Sequence, residues 1–354
     1  MKKTIVILFG GCSTEYTVSL QSAYAVLTHI DQEKYSTIPI GITRGGDWFR
    51  YNGPLERIEK DEWHIDTKNC VKAYLSPDRS RHEIIELGKE RWNRVRVDAV
   101  FPVLHGKYGE DGTLQGLVEL AGIPLIGCNT LSSAIGMDKQ RAHLLVEKAG
   151  IEVPKAVVLE KDLKDNMLEE KNLIQMAKGL AYPLFVKPVR AGSSFGITKV
   201  LDQSQLRSAV KLAFEHDSEV IIEENIEGFE VGCAVLGKDE LITGRVDEIE
   251  LSNGFFNFEE KYTLKTSSIH MPARIDEETE NRIRESAKVI YRALGCSGFT
   301  RVDMFLTPDG RIVFNEVNTI PGFTSHSRYP NMMKGIGLSF EEVLERLLVE
   351  GLSA

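Results

Sequence analysis

No run in this sequence approaches the ~20 consecutive apolar residues that cross a bilayer, so a membrane span is not expected. Positive charge is also in short supply. The 43 Lys and Arg residues face 52 Asp and Glu, for a formal net charge of -9. That balance argues against a surface built for nucleic acid or anionic lipid, although a local basic pocket is compatible with it. Cysteine is sparse and scattered: Cys12, Cys70, Cys128, Cys233 and Cys296 are odd in number, and no C-x-x-C occurs. Neither a disulfide framework nor a zinc site is indicated, and a reducing cytoplasm is the expected compartment. There is no internal repeat and no low-complexity segment. Lys2 and Lys3 precede an apolar run, and Cys12 follows Gly10-Gly11, an arrangement faintly like a lipoprotein signal. The run Ile5–Phe9 is shorter than the roughly 7–15 residues of a signal core, and a strand entering a glycine turn accounts for it better.

What is present is the composition of a globular protein, 42% hydrophobic and 27% charged, over 354 residues, enough for two or three domains. Strand-like and helix-like stretches alternate at first. Thr4–Phe9, Tyr35–Ile42, Val97–Leu104 and Pro124–Ile126 read as strands, Ser19–Ile30 and Thr113–Ala121 as helices. Such alternation predicts a parallel sheet covered by helices. The polar stretch from Arg50 to Arg96 is expected to hold an exposed hairpin. Asp138 suits the cap of a helix that runs to Ala149 and stops at Gly150. Beyond it the pattern changes to strands at Leu184–Lys187, Ile197–Val200, Val220–Glu223 and Glu230–Leu236, with a helix at Gln205–Phe214. A long amphipathic helix is expected over Glu277–Leu294. Strands Phe299–Leu306 and Arg311–Val317 then flank the turn signal Pro308-Asp309-Gly310, and Phe340–Leu348 closes the chain as a helix.

Three stretches carry chemistry. A turn centred between Asp309 and Gly310 would place Asp303 opposite Glu316 and Arg301 opposite Asn318, all on one face. Facing carboxylates repel unless a cation lies between them. Two carboxylates and an amide oxygen suit Mg²⁺, which also takes phosphate oxygens, and Arg301 beside them suits an oxyanion or phosphate. A bulge at Gly310 would shift this register. In the second stretch, Lys187 ends an apolar strand before a loop of small and hydroxyl residues, Arg190-Ala191-Gly192-Ser193-Ser194. Backbone N–H groups and hydroxyls of such a loop can close over phosphates, yet no G-K-[ST] makes it a P-loop. In the third, Glu223 to Glu230 forms a strand end, a link and a new strand. Its backbone can read an adenine edge and its carboxylates can take ribose hydroxyls; alone, it would read as a solvated acidic loop.

With these in order, the chain resembles the ATP-grasp superfamily, and from end to end the D-alanine–D-alanine ligases and their vancomycin-resistance relatives. The matching runs are Gly10-Gly11-Cys12-Ser13-Thr14-Glu15 with Val18-Ser19-Leu20, and His105-Gly106 with Gly109-Glu110-Asp111-Gly112-Thr113-Leu114-Gln115. Met137-Asp138-Lys139, Arg190 with Gly192-Ser193-Ser194, and Glu259-Glu260-Lys261-Tyr262 follow. Asn315-Glu316-Val317-Asn318-Thr319 and Pro321-Gly322-Phe323-Thr324-Ser325-His326-Ser327 complete them. The resemblance implies a three-domain α/β fold. An N-terminal α/β domain with a parallel sheet would span 1–135. Central and C-terminal α+β units at 136–225 and 226–354 would sandwich ATP, with a lid at 252–270.

The resemblance also assigns roles. Lys139 and Lys187 would bind the ATP phosphates and adenine, with Glu223 at adenine and Glu230 at ribose. Ser193, Ser194, Glu224, Ile226 and Phe255 would complete the nucleotide set. Asp303, Glu316 and Asn318 would hold two Mg²⁺ ions, with Mn²⁺ as a substitute. Glu15 would anchor the ammonium of a first D-alanine, with His105 beside it. Arg301 and the Gly322 N–H would hold the oxyanion, and Ser327 and Lys261 the carboxylate of the second amino acid. Glu15, Ser193 and Tyr262 would form a hydrogen-bonded clamp. The first D-alanine carboxylate would attack the γ-phosphate, and the second amine would attack the resulting acyl phosphate. A homodimer is usual in that family.

Phe256, Phe258 and Arg328 depart from its plain form, which has tyrosines and an apolar residue there. They resemble the D-alanine–D-serine ligases of the VanC and VanG types. A guanidinium can hydrogen-bond a hydroxymethyl group where a leucine cannot. D-serine is thus the expected second substrate, with a second D-alanine as the alternative. A catalytically inactive nucleotide-binding regulator would have lost a phosphate lysine or a metal ligand, and none is lost.

Overall fold

The structure, a computed structural model, describes residues 2–88, 91–161, 170–192, 195–251 and 267–353. Three sheets organise it. The first has the order β6-β5-β4-β3-β2-β1-β7. Strand β1 (Lys3–Gly10) lies between β2 (Tyr35–Ile42) and β7 (Ala99–Pro102), both parallel to it. Ile5, Val6, Ile7, Leu8 and Phe9 are wholly buried, as a central strand covered on both faces requires. Helix α1 (Tyr16–His29) covers one face through Leu20, Ala23, Val26 and Leu27.

The parallel sheet is confined to those three strands. The stretch expected to hold an exposed hairpin holds one in β5 (Glu83–Leu87) and the largely exposed β6 (Trp92–Arg96), and it adds two further antiparallel strands, β3 (Trp48–Tyr51) and β4 (Cys70–Leu75). A short helix, α2 (Glu56–Glu59), lies between β3 and β4. The stretch is polar in sequence, but it buries Tyr51, Ile58 and Trp63, and Trp63 Nε1 donates to the Tyr16 hydroxyl at 3.1 Å. Pro124–Ile126 contributes only a bridge, Leu125 to Val100.

Helices α3 (Thr113–Leu120), α4 (Thr130–Met137) and α5 (Lys139–Lys148) lead out of the first sheet. Asn129 caps α4 by accepting from Ser132 N, and Asp138 caps α5 by accepting from Arg141 N. The second sheet has the order β10-β9-β11-β8, built from β8 (Ala156–Glu160), β9 (Leu184–Pro188), β10 (Thr198–Val200) and β11 (Glu219–Glu224). Helices α6 (Glu170–Met176) and α7 (Gln203–Ala213) belong to this part of the chain.

The third sheet runs β14-β13-β12-β15-β16. Its strands are β12 (Phe229–Leu236), β13 (Ile242–Leu251), β14 (Ser267–His270), β15 (Phe299–Leu306) and β16 (Ile312–Asn318). Helix α8 (Glu277–Ala293), capped by Asp276, packs Ile283, Ala287 and Ile290 into this sheet's core. Helices α9 (Arg328–Lys334) and α10 (Phe340–Leu352) join the core of the first sheet to the third, where Phe101, Phe299, Phe323 and Tyr329 meet edge to face or tilted. Among the described residues no helix is long and apolar enough to cross a membrane.

Candidate functional site

The β15–β16 hairpin sets the site. Asp303 pairs with Glu316 and Arg301 with Asn318, as the turn signal predicts, but by a different route. Gly310 N donates to Thr307 O and Thr307 N to Arg311 O, so the pairing nearest the turn is Leu306 with Ile312, one residue out of the expected register. A bulge at Asn315 restores it, because Asp303 faces Glu316 while Met304 faces Phe314. Two irregularities cancel, and the four polar side chains still share one face.

Asp303 is 1% exposed and closely held. Arg301 grips it through Nε to Oδ1 at 2.8 Å and Nη2 to Oδ2 at 2.7 Å. Asn318 Nδ2 donates to Oδ2 at 2.9 Å, and Arg328 Nη2 lies 3.3 Å from Oδ1. Arg328 begins α9, yet its side chain turns inward. Nε and Nη2 each donate to Asp247 at 2.7 Å, and Nη1 reaches Glu230 at 3.2 Å. Burial opposes the Arg328 charge, but Asp247, Asp303 and Glu230 more than offset it. Gly232 makes room for this cluster, since a Cβ there would overlap Arg328 Nη2 and Asp247 Oδ1. Asp247, on β13, went unread in the sequence: the strand carries no motif, and its role follows only from sheet pairing.

Two cavities flank the hairpin. The larger, about 600 Å³, is lined by Lys139, Lys187, Glu223 to Glu230 and Glu316. The smaller, about 350 Å³, is lined by Glu15, His105, Arg301, Gly322, Ser327 and Arg328. Among the described residues, Lys139 and Glu316 are the predicted site residues that line both. A group transferred between the cavities would therefore pass a lysine and a carboxylate.

In the larger cavity Lys187 Nζ lies 2.6 Å from Glu223 Oε2. Burial raises the Glu223 pKa, but Lys187 and His143 outweigh it and leave the carboxyl below its ordinary range. Glu223 Oε1 and His143 Nδ1 are buried without a hydrogen-bond partner among the described residues, 3.9 Å apart. An orphaned acceptor on a cavity wall fits a ligand that brings N–H groups, such as adenine. His143 is a second residue that sequence reasoning missed; it sits on α5 four residues after Lys139, the helical spacing that puts both on one face. Lys139 Nζ donates to Ala191 O at 2.9 Å, tying α5 to the glycine loop. Glu224 spends its carboxylate on Lys155 N, while Ile226 lies at the middle of the link along the cavity wall. Glu230 lines the cavity but also faces Arg328.

The smaller cavity joins the first and third sheets. Glu15 precedes α1, and its Oε2 lies where Gly106 and Gly192 approach, so a Cβ on Gly106 would collide with it. His105 is buried between Ile320 O, 2.8 Å from Nδ1, and Ser22 Oγ, 3.0 Å from Nε2. Its burial lowers the imidazole pKa against the pull of Glu15. Glu110 accepts from Gly106 N and Ile320 N at 2.7 and 2.9 Å, while burial and Glu15 push its carboxyl up to about 8. Ser327 Oγ accepts from Thr324 N at 3.1 Å. The expected Ser193, Ser194, Phe255, Phe256, Lys261 and Tyr262 lie outside the described residues.

No cluster of three or more His, Cys, Asp or Glu suited to a metal occurs among the described residues. The expected set holds only two such residues, Asp303 and Glu316, beside the amide of Asn318; Mg²⁺ normally completes a shell of this kind with water and phosphate oxygens. Around the hairpin the carboxylates of Glu230, Asp247, Asp303 and Glu316 gather near the guanidiniums of Arg301 and Arg328, and a set of carboxylates with an amide oxygen fits a divalent cation.

The family described as D-ala D-ala ligase N-terminus matches residues 4–128, and D-ala D-ala ligase C-terminus matches residues 145–349. A solved VanG D-Ala:D-Ser ligase from Enterococcus faecalis superposes with a TM-score of 0.92 at 61% identity, covering 99% of this chain and 100% of that one. The vancomycin/teicoplanin A-type resistance protein VanA of Enterococcus faecium is 45% identical over 98% of this chain and 97% of its own. A D-alanine–D-alanine ligase of Acetivibrio thermocellus is 42% identical over 98% and 95%.

Proposed function

We propose, on the premise that this chain belongs to the D-alanine–D-alanine ligase family, that it joins D-alanine to D-serine at the expense of ATP. Membership makes the chain an ATP-dependent, divalent-metal-using ligase that condenses D-alanine with a second small substrate. The D-serine assignment rests on one observation above others, the Arg328 guanidinium on the wall of the smaller cavity, backed by Asp247. Asp247 is buried behind the guanidinium and holds it in place, so that a substrate hydroxyl can accept from Arg328 where a methyl group cannot.

The larger cavity takes ATP, with Lys139 and Lys187 on its phosphates and Glu223, Ile226 and Glu230 on the nucleoside. Two Mg²⁺ ions, replaceable by Mn²⁺, would lie against Asp303, Glu316 and Asn318, where they would neutralise phosphate charge. Glu15 holds the first D-alanine by its ammonium, so that its carboxylate points toward Lys139 and Glu316 at the junction of the cavities. That carboxylate attacks the γ-phosphorus, the bond to the β-phosphate oxygen breaks, and ADP leaves. The second amine then attacks the acyl carbon while Arg301 and Gly322 N–H stabilise the oxyanion, and phosphate departs. Lys261 and Ser327 receive the second carboxylate. The Glu15, Ser193 and Tyr262 clamp with Phe255 and Phe256 of the 252–270 lid excludes water, which an acyl phosphate requires. The three sheets support a division into three units, with 225 between β11 and β12 and 135 within α4. The working assembly is a homodimer in the cytoplasm, supplying cell-wall precursors of the vancomycin-resistant kind.

A second D-alanine as co-substrate is favoured by one specific observation: Asp247, Glu230 and Asp303 already occupy Arg328 donors, so a bound methyl group would not leave the guanidinium unpaired. The reaction class is tested by product analysis of the nucleotide. ADP and phosphate should appear only when a D-amino acid is present, and stoichiometric AMP would overturn the acyl-phosphate route.

A further inference from the structure

The turn Ile320–Phe323 is fastened by residues from the first part of the chain. Glu110 Oε1 accepts Ile320 N–H at 2.9 Å. His105 Nδ1 lies 2.8 Å from Ile320 O, and Ser22 Oγ lies 3.2 Å from Phe323 N and 3.0 Å from His105 Nε2. Pro321 has no N–H. Gly322 N–H is thus the amide of this turn that has no acceptor among the described residues, and Gly322 lines the smaller cavity.

Donor and acceptor chemistry leaves one assignment of protons. A carbonyl oxygen can only accept, so His105 Nδ1 carries the hydrogen that meets Ile320 O. The neutral ring then has a lone pair on Nε2, and Ser22 fills it with its single O–H. A lone pair on Ser22 Oγ takes Phe323 N–H. Ser22 is fully buried on α1, so water is no substitute partner for either group. Burial, which disfavours the imidazolium, agrees with a neutral His105.

We propose that Ser22 is a positioning residue for ligation: through the Phe323 amide and His105 it fixes the Ile320–Phe323 turn so that Gly322 N–H is presented to the smaller cavity. The proposal rests on the reading above that Gly322 N–H serves the oxyanion. Ser22 does not line the smaller cavity, and it lies 301 residues before Phe323 in the chain, so a linear motif does not reveal it. Its hydroxyl fastens one end of the turn, and His105 and Glu110 fasten the other.

The test uses the full chain. Ser22→Ala removes one oxygen and leaves Phe323 N–H and His105 Nε2 unpaired, so kcat should fall by about ten- to a hundredfold. The KM for ATP should stay within about twofold, because Ser22 is remote from the nucleotide cavity's lining. Ser22→Cys, of similar size but a weak hydrogen-bonder, should give an intermediate kcat. Combining Ser22→Ala with His105→Asn should cost little more than the larger single change, since the pair acts as a unit. Independently of turnover, the imidazole ¹⁵N spectrum of wild-type His105 should show the neutral Nδ1–H tautomer at neutral pH. A folded Ser22→Ala variant with wild-type kcat, or an Nε2–H tautomer, overturns the proposal. A wild type without D-alanine-dependent turnover overturns the functional reading, and the role of Ser22 with it, whereas an active wild type beside an unaffected variant overturns Ser22 alone.

Discussion

Replacing Arg328 by leucine should damage the protein before it redirects its product. The side chain is 10% exposed and meets Asp247 and Asp303, each 1% exposed, together with Glu230 at 14%. Removing one partner from a buried ion-paired cluster leaves carboxylates uncompensated and typically costs about 3–5 kcal/mol. Leucine returns part of that by packing against Met332, which shares the space beside Gly232, so a loss of about 3 kcal/mol is expected for the ligand-free protein. That is a large share of an ordinary folding stability of about 5–15 kcal/mol. Asp247→Leu on the Arg328→Leu background removes the orphaned acid, so the pair should be less destabilised than the sum of the singles, by about 1–3 kcal/mol. Urea unfolding of the wild type, both singles and the double variant measures this. An Arg328→Leu protein within 1 kcal/mol of wild type, or strict additivity, would refute the reasoning and place the guanidinium in solvent. In the folded fraction the product should move toward D-alanyl-D-alanine. A charged hydrogen bond to the serine hydroxyl contributes up to about 1.5–3 kcal/mol, but the carboxylates that already hold Arg328 bring the expected shift nearer tenfold than a hundredfold.

Glu316→Gln should abolish peptide synthesis at ordinary Mg²⁺ while keeping the fold, because it removes one charge from the junction of the two cavities; full activity would put the metal elsewhere. Tyr262→Phe should slow turnover without preventing ATP binding; unchanged kinetics and unchanged protease sensitivity of residues 255–264 under saturating ligands would remove it from the clamp. The Glu110 carboxyl is raised from 4.5 to about 8. The folded state therefore binds more protons than the unfolded chain between those values, and this group's contribution to stability is present below pH 4.5 and lost as pH rises through about 8. An ammonium held at Glu15 would lower that pKa, so binding of D-alanine at pH 7–8 should release protons, read by calorimetry in buffers of different ionisation enthalpy; no proton release would count against Glu110 as a neighbour of the substrate.

Much of this was legible because strong local signals coincide with the elements that carry chemistry. Tyr35–Ile42 and Phe299–Leu306 have bounds that β-branched and apolar runs define by themselves. Asp138 marks the start of α5, with Lys139 as its first residue, because a cap is a single-residue signal. The stretch from Arg50 to Arg96 yielded no more than its exposed hairpin, because its strands pair at a sheet edge, where one face stays polar, and because its buried anchor Trp63 lies on a short turn rather than a periodic element. The pairing of Asp303 with Glu316 was reached despite a wrong turn, since the bulge at Asn315 compensates for it. Asp247 and Ser22 were beyond reach for another reason: each is defined by a partner 81 or 301 residues away. Spacing along one chain cannot encode such contacts.

The central claim is a D-alanine-activating ligase whose second substrate is D-serine. Incubation of the purified chain with ATP, Mg²⁺ and equal concentrations of D-alanine and D-serine near neutral pH, with the dipeptides separated and identified by mass, tests it directly. D-alanyl-D-serine should predominate, formed in step with ADP and phosphate. Chiefly D-alanyl-D-alanine would contradict the D-serine assignment, and no dipeptide at all would contradict the ligase.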